Sequence, residues 1–349
     1  MSRTDIRTLA VRIGANMLYH SGALTAIQKT YKRRYGSRGP LDRQIAPFLI
    51  LLYHRVNPDN DPLFPATPVS VFEQQVRYLA ENFRVLSLGE IVRRIQSGSP
   101  LEPLTVAITF DDGYLDNYTF AHPVLKQYRV PATLFVATGY IGARTAMWND
   151  QLAWSIKNTA QQQINWRGAN SEVSLPIRTR EEKVLSLSLL LEELKSLPER
   201  EKTAALQQIL QTLATHPFEP TRLMLNWADL RRMSLHGWEI GSHTVTHPIL
   251  TRIGLSEVTS ELRDSKRIIE NELNRPVNLC AYPNGKRSDF NSTIKVITKE
   301  TGYEAAVTTI HGVNDQDSDV FELRRLSIWE TNLPTLACKL TQFYQRAII

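Results

Sequence analysis

Residues 108–117, ITFDDGYLDN, set Asp111 and Asp112 side by side behind an apolar run. Adjacent like charges repel, and a strand end has no structural need for them. A second stretch, GSHTVTHP at 241–248, places His243 and His247 four residues apart behind the short apolar run WEIG. In a helix that spacing puts both imidazoles on one face. Two neutral imidazoles suit a divalent ion such as Zn2+, which takes nitrogen and oxygen ligands at about 2.0–2.2 Å. Taken alone the His pair is weak, because helix surfaces show HxxxH by chance, and two histidines make only half a site. The pairing of the two stretches is stronger. Parallel strands of one sheet deliver their C-terminal ends to one face, so the aspartates and the histidines are expected to meet there. One aspartate can then complete a His2Asp site, leaving the other as general base toward a water at the ion. A ligand and a base must reach the same water, which is a reason for them to be neighbours.

The elements that must position these residues alternate. PFLILLYH (47–54), FRVLSL (83–88), LTVAITF (104–110), ATLFVAT (132–138), WEIGS, NLCAYP and YEAAVTT read as strands. Between them SVFEQQVRYLAENF, residues 120–128, 257–273 and 292–301 carry helical periodicity. Strands alternating with helices imply an α/β fold on a parallel sheet, open or closed into a barrel. Residues from 150 to about 225 break the rhythm with two leucine-rich helical stretches, expected to be either a helical insertion in one domain or a small lid, with leucines that are ordinary packing.

Composition bounds the rest. With 349 residues, 42% hydrophobic and 22% charged, the chain can bury a large core and is not disordered. No apolar run reaches the roughly 18–20 residues of a membrane span. Arg7 and Arg12 interrupt the one candidate leader stretch, and two cysteines make neither a disulfide framework nor a zinc knuckle. A cytoplasmic location is expected. Residues 1–48 hold nine Lys or Arg against two Asp, a net of +7; the whole chain carries +6, so the remainder carries −1. A basic arm on a neutral body argues against nucleic acid as partner. Ile6, Leu9, Ile13 and Met17 recur at helical spacing in the arm. It is either an amphipathic segment touching an anionic membrane at the inner face or a helix docked on its own domain.

TFDDGY, SHTVTHP and AYPNG, in this order, resemble the signature blocks of the polysaccharide deacetylases, the NodB-like carbohydrate esterase family 4. The resemblance spans about residues 48–330, between a 1–47 arm and a C-terminal helix at 331–349. It implies a deformed (β/α) barrel and metal-dependent removal of acetyl groups from sugars. By that resemblance Asp111 is the general base and Asp112, His243 and His247 hold the metal, with Zn2+ expected. The AYPNG loop lines the acyl site, with the Asn284 N–H as oxyanion donor and Tyr282, Pro283 and Trp148 as substrate contacts. Where many relatives carry an arginine that orients the base, this chain has Ala281; Arg325 or Arg324 of LRRLSI is expected to replace it, Arg325 being preferred.

The family's L-[LI]-x-H block, which supplies the general acid, does not occur after residue 300. LLYH at 51–54 does, as in deacetylases of poly-N-acetylglucosamine, whose acid block precedes the others. First and last strands of a barrel are neighbours, so His54 is the expected acid, kept protonated by a nearby carboxylate, and His311 the rejected one. The implied function is N-acetyl removal from an amino-sugar glycan or its lipid-linked precursor, in cell-surface polysaccharide synthesis. The alternatives are O-acetyl or formyl removal by the same site, and a non-catalytic glycan-binding protein.

Overall fold

The computed structural model describes residues 3–36, 46–167, 172–216, 218 and 222–346. The arm forms α1 (Arg3–His20) and α2 (Ala23–Gly36). Then come β1 (Phe48–Tyr53), α3 (Val69–Asn82), β2 (Arg84–Val85), α4 (Leu88–Ser97) and β3 (Thr105–Phe110). A π-helical turn at Asn117–Ala121 leads into α5 (His122–Tyr128) and β4 (Ala132–Val136). The insertion holds α6 (Trp148–Asn158), β5 (Gln163–Arg167), β6 (Glu172–Pro176), α7 (Arg180–Ser196) and α8 (Glu199–Leu213). The alternation resumes with α9 (Trp227–Ser234), β7 (Trp238–Ser242), α10 (Leu255–Leu273) and β8 (Leu279–Ala281). It ends with α11 (Ser292–Glu300), β9 (Ala305–Val307), β10 (Leu326–Ser327) and α12 (Leu333–Arg346).

The main sheet runs β10-β1-β3-β4-β7-β8-β9, with β2 also on β3, and every pairing in it is parallel. Every residue of β1, β3 and β4 is buried, which is why these strands read as unbroken apolar runs rather than alternating ones. A bridge between Val307 and Leu323 ties β9 to the chain just before β10. The sheet therefore curls into a deformed barrel with its helices outside, and the ends of β1, β3, β7 and β10 open toward one mouth.

The arm is docked. α1 packs along α12, and Ala15, Leu24 and Tyr31 are buried. The Gln28 amide donates to the Tyr78 hydroxyl (3.0 Å) and to Thr341 Oγ1 (3.3 Å). The outward side of α1 nonetheless exposes Val11, Ile13, Met17 and Leu18. The side chains of Ile6 and Leu9, and the stretch 37–45, lie outside the described residues. No described helix is long and apolar enough to cross a membrane.

The insertion has a core of its own, in which Leu152, Ile156, Leu187, Leu190, Leu194 and Ile209 are buried together. Its leucines are packing residues. It is not wholly helical, because β5 and β6 form an antiparallel pair. The signal was present in QINWR: Ile164 and Trp166 are buried while Gln163, Asn165 and Arg167 are exposed, a period of two.

Candidate active site

β3 ends at Phe110, and the Asp111 N–H still donates to the Tyr53 carbonyl (3.2 Å), which holds Asp111 in line with the strand. Asp112 then turns to a left-handed φ of 75°. That single turn sends the two neighbouring side chains in different directions, and Asp is among the residues that tolerate it.

Asp111 meets Arg325, the arginine just before β10. Both guanidinium nitrogens donate to its two carboxylate oxygens at 2.7 Å, a two-pronged charged pair. Arg325 is fully buried and also donates to the Thr308 carbonyl (2.7 Å) and Thr109 Oγ1 (3.2 Å), so its fork cannot swing away. Arg324, one residue earlier, is exposed. Burial pushes the Asp111 carboxyl up, but Arg325 beside it outweighs that and brings it down to about 2. Asp112 is driven the other way, well above the usual range, by burial and then by the charges of Asp111 and Asp150.

The histidine loop departs from the helical expectation. Residues 243–249 are not helical, and Thr244 and His247 have left-handed φ values of 66° and 60°. The rings converge through this turn rather than through a helix face. A β-branched residue such as Thr244 rarely adopts that conformation, so the loop must be restrained from outside. Glu261 of α10 does so: it accepts from the N–H groups of Val245 (2.7 Å) and Thr246 (2.9 Å) and from the Thr246 hydroxyl (2.7 Å). On the other side Gly139 donates to the Val245 carbonyl, and a Cβ at Gly139 would sit 2.8 Å from that oxygen. Any other residue there would push the loop away.

Asp112, His243 and His247 each offer a ligand atom within 4.8 Å of the others. The two Nε2 atoms are 3.1 Å apart, and Asp112 Oδ1 lies 3.6 Å from one and 3.5 Å from the other. Ligand bonds of about 2.1 Å in a tetrahedron place ligand atoms about 3.4 Å apart, so the triangle fits a divalent ion. His243 Nδ1 donates to the Ala281 carbonyl (2.8 Å), which leaves the lone pair on Nε2. Burial lowers both imidazoles, His247 well below its ordinary value, so both are neutral at pH 7. The His243 lone pair, the facing Nε2 of a second neutral imidazole whose buried Nδ1 has no partner among the described residues, and a buried carboxylate make a donor set that suits a cation.

His54 directly follows β1, close enough for the charge of Asp111 to act on it, and its ring lies parallel to the exposed Trp329 (centroids 6.2 Å, 16°). One expectation is corrected here. Burial lowers His54 to about 4, and the opposing charge of Asp111 does not restore it, so the resting imidazole is neutral at pH 7. His311 is exposed and takes no part in the site.

In the AYPNG loop, Asn284 and Gly285 both have left-handed φ values (59° and 63°). The Asn284 N–H donates to nothing among the described residues. Its side chain is tied to Asp289 and its carbonyl to Thr309 Oγ1 (2.7 Å), so that N–H has a fixed direction. The ring of Tyr282 is not at the surface as a substrate contact would require. It is fully buried, stacked on Phe290 (4.8 Å, 10°), with its hydroxyl on the Phe321 carbonyl (3.1 Å). Pro283 is buried too, so this pair shapes the loop and offers only backbone. Trp148 is half-buried at the start of α6 with the Lys202 ammonium over its ring (5.0 Å), and the charge of Lys202 reaches His247. The insertion thus walls one side of the mouth, and Glu192 of α7 bonds Lys286 of the AYPNG loop (2.7 Å).

Glu261 and Trp329 escaped the sequence reading. Trp329 carried a signal, a large aromatic two residues past the last strand, where an inward-facing core residue is not expected. Glu261 carried none, being one of several acids on a long amphipathic helix.

Comparison with known proteins agrees with this geometry. The family model described as polysaccharide deacetylase matches residues 98–175 and 192–306. YxkH of Bacillus subtilis (strain 168), named for the same family, is 24% identical over 280 residues, 80% of this chain and 70% of that protein. Poly-beta-1,6-N-acetyl-D-glucosamine N-deacetylases of Escherichia coli (strain K12) and Staphylococcus aureus (strain N315) match only short stretches. The identities are 32% over 87 residues (24% of this chain, 13% of that protein) and 36% over 74 (21% and 25%). Among solved structures, the Streptococcus pyogenes deacetylase PplD in complex with acetate superposes with a TM-score of 0.58 at 21% identity, covering 85% of this chain and 98% of that one. IcaB from Ammonifex degensii does so at 0.55 and 18%, with 85% and 98% covered. The family match spans more than half of the chain, and the curled parallel sheet is shared with these structures: the chain belongs to the polysaccharide deacetylase family.

Proposed function

We propose that the chain is a metal-dependent hydrolase that removes N-acetyl groups from an amino-sugar glycan or its lipid-linked precursor. The observation that carries this reading is the convergence of Asp112, His243 and His247 beside an Asp111 clamped by Arg325. Asp112 Oδ1 and the two Nε2 atoms would hold the ion, Zn2+ by the chemistry of the donors. Such an ion supplies Lewis acidity toward the acetyl carbonyl and lowers the pKa of water. Asp111 takes the proton of the attacking water, and Arg325 keeps its carboxylate ionised and aimed. The Asn284 N–H, which has no partner among the described residues, donates to the acyl oxygen as negative charge gathers there. His54 delivers a proton to the departing amine nitrogen, which cannot leave as an anion. A resting His54 is neutral, so that proton arrives during turnover, and the one lost by the water is released beside it at Asp111. The exposed face of Trp329 next to His54 gives the sugar ring an apolar surface. The shared stretches with poly-beta-1,6-N-acetyl-D-glucosamine N-deacetylases, and the early position of LLYH, favour N-acetylglucosamine as the sugar.

The test is acetate release from N-acetylglucosamine oligomers, β-1,6-linked and β-1,4-linked, with and without a chelator. Chelator-sensitive release is expected. Release from acetyl esters alone would move the reading to O-deacetylation, and the absence of both release and tight metal binding would leave a non-catalytic glycan binder.

A further inference from the structure

A cleft of about 800 Å³ lies between the loop after β1 and the insertion, and it excludes the catalytic side chains. It begins one residue along from His54, at Arg55. Arg55 bonds Asp116 (2.8 Å) and lies over the ring of Tyr114 (4.7 Å), and its charge reaches Asp112 in the active site. One wall is aromatic. Trp154 stacks on Phe218 (4.7 Å, 18°), Phe64 lies against Phe218 (6.2 Å), and all three are half-buried. The lining is also basic. Arg55, Lys157, Arg178, Arg180 and Lys183 line the cleft against Asp59 and Asp61, a net of +3 on a body that is otherwise near neutral.

The use of these charges separates them. Arg55 and Lys157 are consumed locally, by Asp116 and by Asp61 (2.6 Å). Arg178, Arg180 and Lys183 make no ion pair among the described residues. Among the described residues Arg180 and Lys183 donate to the carbonyls of Asn60 (3.0 Å) and Lys157 (2.8 Å), which orients them, and the charge of Arg180 also reaches Asp61, which Lys157 already pairs. Aromatic faces beside cations that make no ion pair among the described residues suit a sugar ring that carries a negative charge.

We infer that this cleft binds an acidic sugar, a carboxylate- or phosphate-bearing unit of the same glycan whose neighbouring N-acetylated residue enters the active site. The inference rests on the proposed deacetylase reading and specifies its substrate as an anionic glycan. Arg178 and Arg180 hold the charge, and Trp154, Phe64 and Phe218 carry the ring.

The experiment uses the full chain. Binding of three probes is followed by calorimetry at low salt: a hyaluronan hexasaccharide (uronate), uridine diphosphate N-acetylglucosamine (phosphate) and neutral chitohexaose. Acetate release from each is measured in parallel. At least one anionic probe is expected to bind about tenfold more tightly than chitohexaose, with roughly 0.3 M NaCl removing the preference. The probe preferred identifies carboxylate or phosphate. The variant carrying Arg178→Ala and Arg180→Ala should lose the preference through KM, keeping kcat on every substrate and its affinity for chitohexaose. Trp154→Ala should weaken binding of all three. Equal affinity for neutral and anionic probes, or a preference that survives in the arginine variant, overturns the inference. Failure of the two readings is distinguishable. Charge-dependent binding without any acetate release sinks the deacetylase reading and keeps the cleft as an anionic-sugar site. Acetate release with no charge preference does the reverse.

Discussion

Asp111 and Asp112 differ by one position in the chain and by almost everything else. Asp111 is held ionised by a buried arginine, while Asp112 is left with burial and two acidic neighbours, an arrangement that a cation would relieve. Asp112→Ala should therefore lose both zinc binding and turnover. Asp111→Asn should keep zinc binding, read by titration, while turnover falls by about 10²–10⁴. It should also lower unfolding free energy by roughly 3 kcal/mol, because the Arg325 charge stays buried without its partner. Equal loss of zinc in both variants would show that the division of roles is wrong. His54 gives a second test with a definite sign. Asp111 is lowered to about 2 and His54 to about 4, and a cation at the neighbouring ligands pushes both further down. Neither group then titrates between about pH 5 and 8, so His54 should give kcat/KM no limb near the ordinary imidazole value of about 6.5, and any limb that a metal-held water gives there should persist in His54→Ala. His54→Ala should cost about 10²–10⁴ on amides and much less on an ester with a good leaving group, while His311→Ala is silent. A limb near 6.5 that vanishes in His54→Ala would show that histidine resting as the cation.

At the element scale, the site depends on loops held in conformations they would not choose alone. Of the left-handed non-glycine residues, Asp112, Thr244, His247 and Asn284 all stand in the site or its loops. Glu261 is the anchor that reaches the histidine loop from a helix. Glu261→Ala should lower zinc affinity by about 10–100-fold without touching a ligand, and Glu261→Gln, which keeps one acceptor oxygen, should fall in between. Unchanged affinity in the alanine variant would mean the loop holds itself. The arm offers a different test. α1 is docked by one side and presents Met17, 69% exposed, with Val11, Ile13 and Leu18 on the other. If this surface meets an anionic membrane, the chain should co-sediment with vesicles containing acidic lipid and be released by salt. A Met17→Asp, Leu18→Asp double variant should then stay in solution. Identical behaviour of the two proteins would leave the arm as packing.

At the scale of the whole molecule, the ligands come from β3 and β7 and the clamp from the chain before β10, so ion binding ties distant parts of one sheet together. An ion that binds only the folded chain stabilises it by about 2.7 kcal/mol at a hundredfold excess over Kd. For a chain of this length, that should raise Tm by about 3–4 °C. The shift should be absent in Asp112→Ala, and a melt indifferent to zinc in the unaltered chain would argue against the site altogether. The insertion adds a second core beside the barrel, and through Glu192 and Lys286 it braces the acyl loop.

What the sequence determined by itself was local. The unbroken apolar strands, the paired aspartates at a strand end, the histidine spacing and the displaced LLYH block each depend on a few neighbouring residues, and so could be read directly. The choice between Arg324 and Arg325 was of another kind. Adjacent residues beside a strand face opposite ways, and only the curl of the sheet decides which one points inward to meet Asp111, 214 positions away. The non-helical turn of the histidine loop was hidden for the same reason, since Glu261 and Gly139 hold it from outside. Tyr282 looked like a substrate contact because its loop is at the mouth, yet its ring turns into the core. The resting charge of His54 is set by how much water the folded mouth admits. Spacing along a chain does not contain that quantity, because desolvation belongs to everything packed around the ring.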